Sequence, residues 1–158
     1  MKTNFERGQL NAQDDLNENF VEVDEFIAKV KSYFSKLNTR KSFVIDGKVS
    51  SFIDSGSMEF TREGNTVYLT GTFRVAKVMS GNILDKGTLL PDWCKPYSRN
   101  QLIVVEINDT AKTLYVEADT GGFKVDGTSL PAGAWGSLNA SSYLAYDPVL
   151  FEDALVSK

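Results

Sequence analysis

Between Leu16 and Leu37 the apolar residues return at intervals of four and three by turns: Leu16, Phe20, Val23, Ile27, Val30, Phe34, Leu37. This is a heptad seam, with Phe20, Ile27 and Phe34 at position a and Leu16, Val23, Val30 and Leu37 at position d. A helix carrying it is about 33 Å long at roughly 1.5 Å per residue. Asn11 is placed to cap a helix that starts at Ala12, and Asp14 and Asp15 then lie near the positive end of its dipole. Glu18, Glu22, Asp24 and Glu25 fall in the first half and Lys29, Lys31 and Lys36 in the second, which suits the same dipole. Asn38-Thr39-Arg40-Lys41 ends the pattern. An amphipathic helix lying on its own β-domain usually shows a wider stripe of period 3.6, whereas the strict 3.5 average here favours self-association. Phe26 and Tyr33, at position g, widen the apolar face beyond a two-stranded seam, so three strands are expected.

After Lys41 the period changes to two. Phe43–Asp46 and Val49–Ile53 read as short strands around Gly47-Lys48, and Ser57–Thr61 alternates into Arg62-Glu63-Gly64-Asn65. Thr66–Val75 follows and completes the clearest hairpin of the chain, with Gly71 in mid-strand predicting a bulge or a close neighbouring backbone. Residues 80–100 are loop-rich. Gln101–Ile107 is nearly all apolar, as a strand covered on both faces would be. Thr113–Ala118, Phe123–Asp126 and Ser142–Tyr146 supply three further strands. Asp147-Pro148 can start a short terminal helix over Val149–Val156. The expected fold is mainly β with an N-terminal α-helix: a trimeric coiled-coil stalk over residues 1–40, then an antiparallel β-sandwich head over 41–158.

Composition narrows the function. The formal net charge is −4 and no basic stripe is present, so nucleic acid is not an expected partner. A single cysteine, Cys94, rules out an intramolecular disulfide and points to synthesis in, or tolerance of, a reducing compartment. No signal-peptide core is expected in Met1–Arg7, and no apolar run approaches the roughly 20 residues that span a bilayer. Histidine is absent, which removes Ser-His-Asp and Cys-His nucleophiles and every His-based metal site. The Gly121-Gly122 and Gly127 stretches lack phosphate-loop spacing. No cofactor is called for.

Two stretches resemble tail appendages of bacteriophages, especially baseplate and receptor-binding proteins of siphophages that infect Gram-positive bacteria. Phe5-Glu6-Arg7-Gly8-Gln9-Leu10-Asn11-Ala12, with Leu16-Asn17-Glu18-Asn19-Phe20, is similar to the openings of such proteins, where a phrase of this kind leads into a trimeric helix. Arg62-Glu63-Gly64-Asn65 through Gly71-Thr72-Phe73, with Leu90-Pro91-Asp92-Trp93-Cys94-Lys95-Pro96, is similar to a pattern in C-terminal β-sandwich domains of tail fibres and baseplate proteins. Lys95 stands where that pattern usually has Arg, and Trp93-Cys94 where it has Gly-Tyr or Gly-Phe. The resemblance implies a homotrimer located in the virion at the tail tip or baseplate, made in the host cytoplasm. It further implies contact with other tail proteins and adhesion without catalysis.

Trp93 and Trp135 are the most suggestive side chains for ligand binding, since each follows a Leu-Pro in a Gly/Pro-rich segment. Aromatic faces on rim loops stack on sugar C–H surfaces while neighbouring polar groups accept hydroxyl hydrogen bonds. Trp93 has Asp92, Tyr97, Arg99 and Asn100 near it in sequence, and Trp135 has Asn139, Ser141, Ser142 and Tyr143. The expected saccharide residues are Trp93, Tyr97, Asp92, Trp135, Asn139 and Tyr143, with host cell-wall polysaccharide as ligand. The alternative is that each tryptophan plugs an end of the sandwich or a subunit interface. Asp109, Asp119 and Asp126 fall at turns, where Asp is common for local reasons, and match no calcium loop. A carboxylate pair for glycoside cleavage would show only in geometry. Cys94 is expected to be a buried, inert thiol. A structural connector whose β-domain docks another tail protein is the second reading of function.

Overall fold

The computed structural model describes residues 12–85 and 89–146. Helix α1 runs from Ala12 to Leu37 without an interior Gly or Pro. It closes on a hydrogen bond from the Asn38 N–H to the Phe34 carbonyl (3.0 Å), with Lys36 in the last turn. The Asn11 cap and the helix expected over Val149–Val156 lie outside the described residues. The heptad seam falls within α1, and its a-position side chains face solvent: Phe20 is 61% exposed, Ile27 42% and Phe34 55%. Leu16 and the g-position Phe26 are exposed as well, while Val23, Val30, Tyr33 and Leu37 are half-buried. Contacts within the chain separate this helix from a β unit that begins at Thr39.

The β unit holds nine described strands: β1 (Arg40–Ile45), β2 (Ile53–Gly56), β3 (Met58–Glu63), β4 (Thr66–Val75), β5 (Met79–Asn82), β6 (Gln101–Ile107), β7 (Thr110–Val116), β8 (Phe123–Leu130) and β9 (Trp135–Leu144). They form one antiparallel sheet in the order β1-β3-β4-β9-β6-β7-β8-β5, with β2 on the second half of β4. β6 and β9 share only the register pairs Glu106↔Ser137 and Ile107↔Gly136. The sheet curls, and its two halves face each other as in a sandwich. Phe60 on β3 and Phe123 on β8, far apart in strand order, meet edge-to-face with ring centroids 5.2 Å apart. Met58, Leu69, Phe73, Ile103, Leu114 and Leu130 fill the space around them and are fully buried or nearly so.

Polar groups tie the ends of the strand order together. Ser50 donates its hydroxyl to the Ile83 carbonyl in a buried bond of 2.5 Å. Next to it the Asp85 carboxylate accepts from the Ser51 N–H (2.9 Å) and hydroxyl (2.8 Å). Lys77 donates to the Ser51 hydroxyl at 2.8 Å and lies 4.4 Å over the Phe52 ring. The connection after β1 is thereby fastened to the segment after β5.

The mid-strand glycine has both properties expected of it. The β4–β9 register slips between Leu69 and Gly71, and Gly71 has φ +127°. A Cβ there would collide with the Ser57 carbonyl, and one at Gly56 with the Thr72 carbonyl. The β2–β3 corner and the β4 bulge thus interlock backbone to backbone, which only glycine permits at both positions.

Strand β5 was not expected, β7 starts three residues before Thr113 and β8 runs four residues past Asp126; three further elements differ from the sequence reading. Val49–Ile53 is not a strand through its length, because Asp46 builds a turn there: its carboxylate accepts from Lys48 N–H (2.9 Å) and Val49 N–H (3.3 Å), and its carbonyl from Ser50 N–H (2.8 Å). Extended structure starts only at Ile53. β6 is covered on one face rather than two: Ile103, Val105 and Ile107 are buried, while Leu102 and Val104 stand exposed, since an antiparallel layer leaves its outer face bare. The last strand begins seven residues before Ser142, at Trp135.

Candidate functional site

β9 separates the two tryptophans. Trp135 is its first residue, not a loop residue. Trp93 sits in a 3-10 turn, Asp92–Cys94, whose continuation runs beside the far end of β9: Pro96 bridges Ala145, Tyr97 N–H donates to the Leu144 carbonyl (2.9 Å) and Tyr146 N–H to the Lys95 carbonyl (2.7 Å). At roughly 3.3 Å per residue the two ends are about 30 Å apart. No single small ligand touches both.

The Trp93 end is built for packing. Trp93 is half-buried against the hydrophobic core. Asp92 is occupied by Lys95, at 2.7 Å, and Lys95 also reaches the Asp119 carbonyl at 3.5 Å. The Asn100 side-chain carbonyl accepts from the Ala118 N–H at 2.9 Å. Tyr143, expected among the saccharide residues, is instead buried, and its hydroxyl donates to the Cys94 carbonyl. It pairs with Val67 across β9 and β4 on the inward face, so alternation hides it. Burial raises the Tyr143 pKa, and desolvation pushes the Cys94 thiol up to about 12 against the opposing pull of the Arg62 charge. Both groups are neutral core members at ordinary pH. Of the expected residues here, Tyr97 alone presents a largely exposed ring.

The Trp135 end has a different character. Trp135 is 51% exposed and stands directly opposite Arg74 in the β4–β9 register. Directly opposed side chains share one face, with Cβ atoms about 4.5–5.5 Å apart. Asn108 grips the Trp135 backbone from the other side: its N–H donates to the Trp135 carbonyl (3.3 Å), and its side-chain carbonyl accepts from the Trp135 N–H (3.4 Å). Asn108 and Asp109 form the two-residue turn between β6 and β7, with φ of 45° and 61°, the positive pair of a type I′ hairpin. Arg74 places Nη1 3.4 Å from the Asp54 carboxylate and Nε 3.5 Å from the Gly133 carbonyl. Asp54 sits where the β2 register slips between Ile53 and Ser55. Asp54, Arg74, Trp135 and Asn108 therefore make a row of exposed groups across β2, β4, β9 and the β6–β7 turn.

Sequence reasoning singled out only Trp135 from this row. Its sequence neighbours Ser141 and Ser142 lie six and seven residues up the strand, Ser142 opposite Tyr68, and the side chain of Asn139 is outside the described residues. The true neighbours come from strand pairing. The turn Asn108-Asp109, a pair tolerant of positive φ, was the one local signal available.

A second polar group braces the loop between β7 and β8. Glu117 forms an ion pair with Lys124 and accepts from the Thr120 hydroxyl at 2.5 Å, while Lys124 lies 5.0 Å over the Tyr115 ring. The hydrogen bond from Lys124, then that from Thr120, holds the Glu117 carboxyl below its usual range, and the same bond raises Lys124. Asp109, Asp119 and Asp126 occupy a turn, a loop and β8. Among the described residues no three His, Cys, Asp or Glu side chains gather as metal ligands, and no described helix is long and apolar enough to cross a membrane. No protein-family model matches the chain, and no curated protein matches it.

Proposed function

We propose that this chain is a bacteriophage tail-tip or baseplate adhesin, in which α1 joins three copies through its heptad seam and the β unit binds a host cell-surface saccharide. The observation that carries this reading is the exposure of the a positions of the α1 seam, Phe20, Ile27 and Phe34, along one helical line. The resemblance of stretches within residues 5–20, 62–73 and 90–96 to phage tail appendages agrees with it. Three weak sites on one stalk gain avidity without tight binding at any one of them, so binding heads without catalysis suffice. The test is decoration of host cells by fluorescently labelled protein, competed by purified wall polysaccharide. Decoration abolished by the polysaccharide supports the adhesin, and absence of decoration contradicts it.

A connector role is the second reading. Leu102 and Val104 are exposed side by side on the outer face of β6, a surface suited to another tail protein. Tight binding to a virion protein without cell decoration would favour that role.

A further inference from the structure

We propose that the row Asp54–Arg74–Trp135–Asn108 is the sugar-binding surface of the β unit, and that it takes an uncharged pyranose rather than an acidic one. The inference rests on the saccharide reading above and narrows it to one end of the sheet and one ligand class.

Trp135 offers what a sugar ring needs. Its indole is half exposed, and among the described residues its ring N–H makes no hydrogen bond. Its backbone is held by β4 on one side and by both Asn108 bonds on the other. An exposed aromatic face carried on a backbone held in this way can stack on the C–H face of a pyranose at a defined place on the sheet. The flanking groups are complementary. The Arg74 guanidinium carries five donors and the Asp54 carboxylate only acceptors, and they meet at 3.4 Å through one partly exposed contact. A pair so loosely joined leaves donors and acceptors side by side for adjacent ring hydroxyls. Asn108 uses its side-chain carbonyl on Trp135, and among the described residues its amide NH2 is uncommitted.

Charge selects the class. Asp54 offsets Arg74, and Asp109, beside Asn108, adds a further exposed negative charge. The row has no excess positive charge for a uronate, which would face two carboxylates. The Trp93 end differs in its aromatic group, since the Trp93 indole is half-buried against the core while Trp135 is half exposed.

The chain has two tryptophans, so its amide NMR spectrum carries two indole signals, assigned with Trp93→Phe and Trp135→Phe. Titration with wall polysaccharide fragments from cells that the protein decorates should shift the Trp135 signal and leave that of Trp93 in place. Trp135→Ala should weaken decoration at least tenfold, and Arg74→Ala several-fold, with thermal unfolding of the β unit nearly unchanged. Neutral hexose oligosaccharides should compete better than oligouronates of equal length. Decoration retained in both variants, or a shift confined to Trp93, would overturn the assignment of the site. Stronger competition by oligouronates would overturn the ligand class. No decoration by the wild type would instead remove the saccharide reading itself.

Discussion

The two units use phenylalanine in opposite ways. In the β unit Phe60, Phe73 and Phe123 are wholly buried inside the curled sheet. In α1, Phe20, Phe26 and Phe34 stand about half or more exposed along the helix. Burial of apolar surface stabilises by roughly 25 cal/mol per Å², so the β unit obtains its stability from its own residues. A lone helix is marginal in water, and most helical stability comes from packing its apolar face. Within one chain the a-position side chains of α1 have not obtained it. The difference separates a region that buries its large apolar side chains within the chain from one that leaves Phe20, Ile27 and Phe34 exposed, as the proposed assembly requires.

Mutation of matched residues tests that difference most strongly. Phe73→Ala should cost the β unit about 3–5 kcal/mol, read by urea unfolding with near-ultraviolet circular dichroism. Phe20→Ala should move the same transition by less than about 0.5 kcal/mol while weakening assembly. Equal losses in the two variants would erase the distinction.

Tyr143→Phe sharpens it within the β unit. Removing the hydroxyl leaves the buried Cys94 carbonyl without that donor, at a cost of about 1–3 kcal/mol. Decoration of cells by the folded variant should be unchanged, because Tyr143 serves the core.

The smallest effect is expected at the β7–β8 loop. Glu117→Gln removes a partly exposed ion pair with Lys124 and should cost about 0.2–1 kcal/mol near neutral pH. The Glu117 carboxyl is depressed in the folded chain, so its contribution is present above the ordinary carboxylate value of about 4.3 and fades as pH falls through the lower folded value. Lys124 is raised, so its share fades only as pH rises past about 10.4. The gap between wild type and variant should close at both extremes, as followed by thermal unfolding from acid to alkaline pH.

Helix α1, the Thr66–Val75 hairpin and the bulge at Gly71 were legible because local spacing determines them. The length of β9 was not, since Trp135-Gly136-Ser137 has little strand character and becomes a strand by pairing with Phe73 and Arg74. Gln101–Ile107 showed its apolar content but not which face would be covered, a matter of the neighbouring layer. The proposed site was legible only at Trp135. Arg74 and Asp54 reach it through register, and register is a property of two strands rather than of one sequence window. Tyr143 looked available for the converse reason, since only the pairing with Val67 reveals its inward face.

The central claim is that α1 is an assembly device and the β unit is not. Light scattering of the wild-type chain and of Ile27→Asp measures this directly, because Asp at position 27 would put a carboxylate from every chain into one layer of the seam. The account predicts three chains per particle for the wild type, and single chains with an unchanged β-unit spectrum for Ile27→Asp. A monomeric wild type, or a variant that keeps the trimer mass, would contradict it.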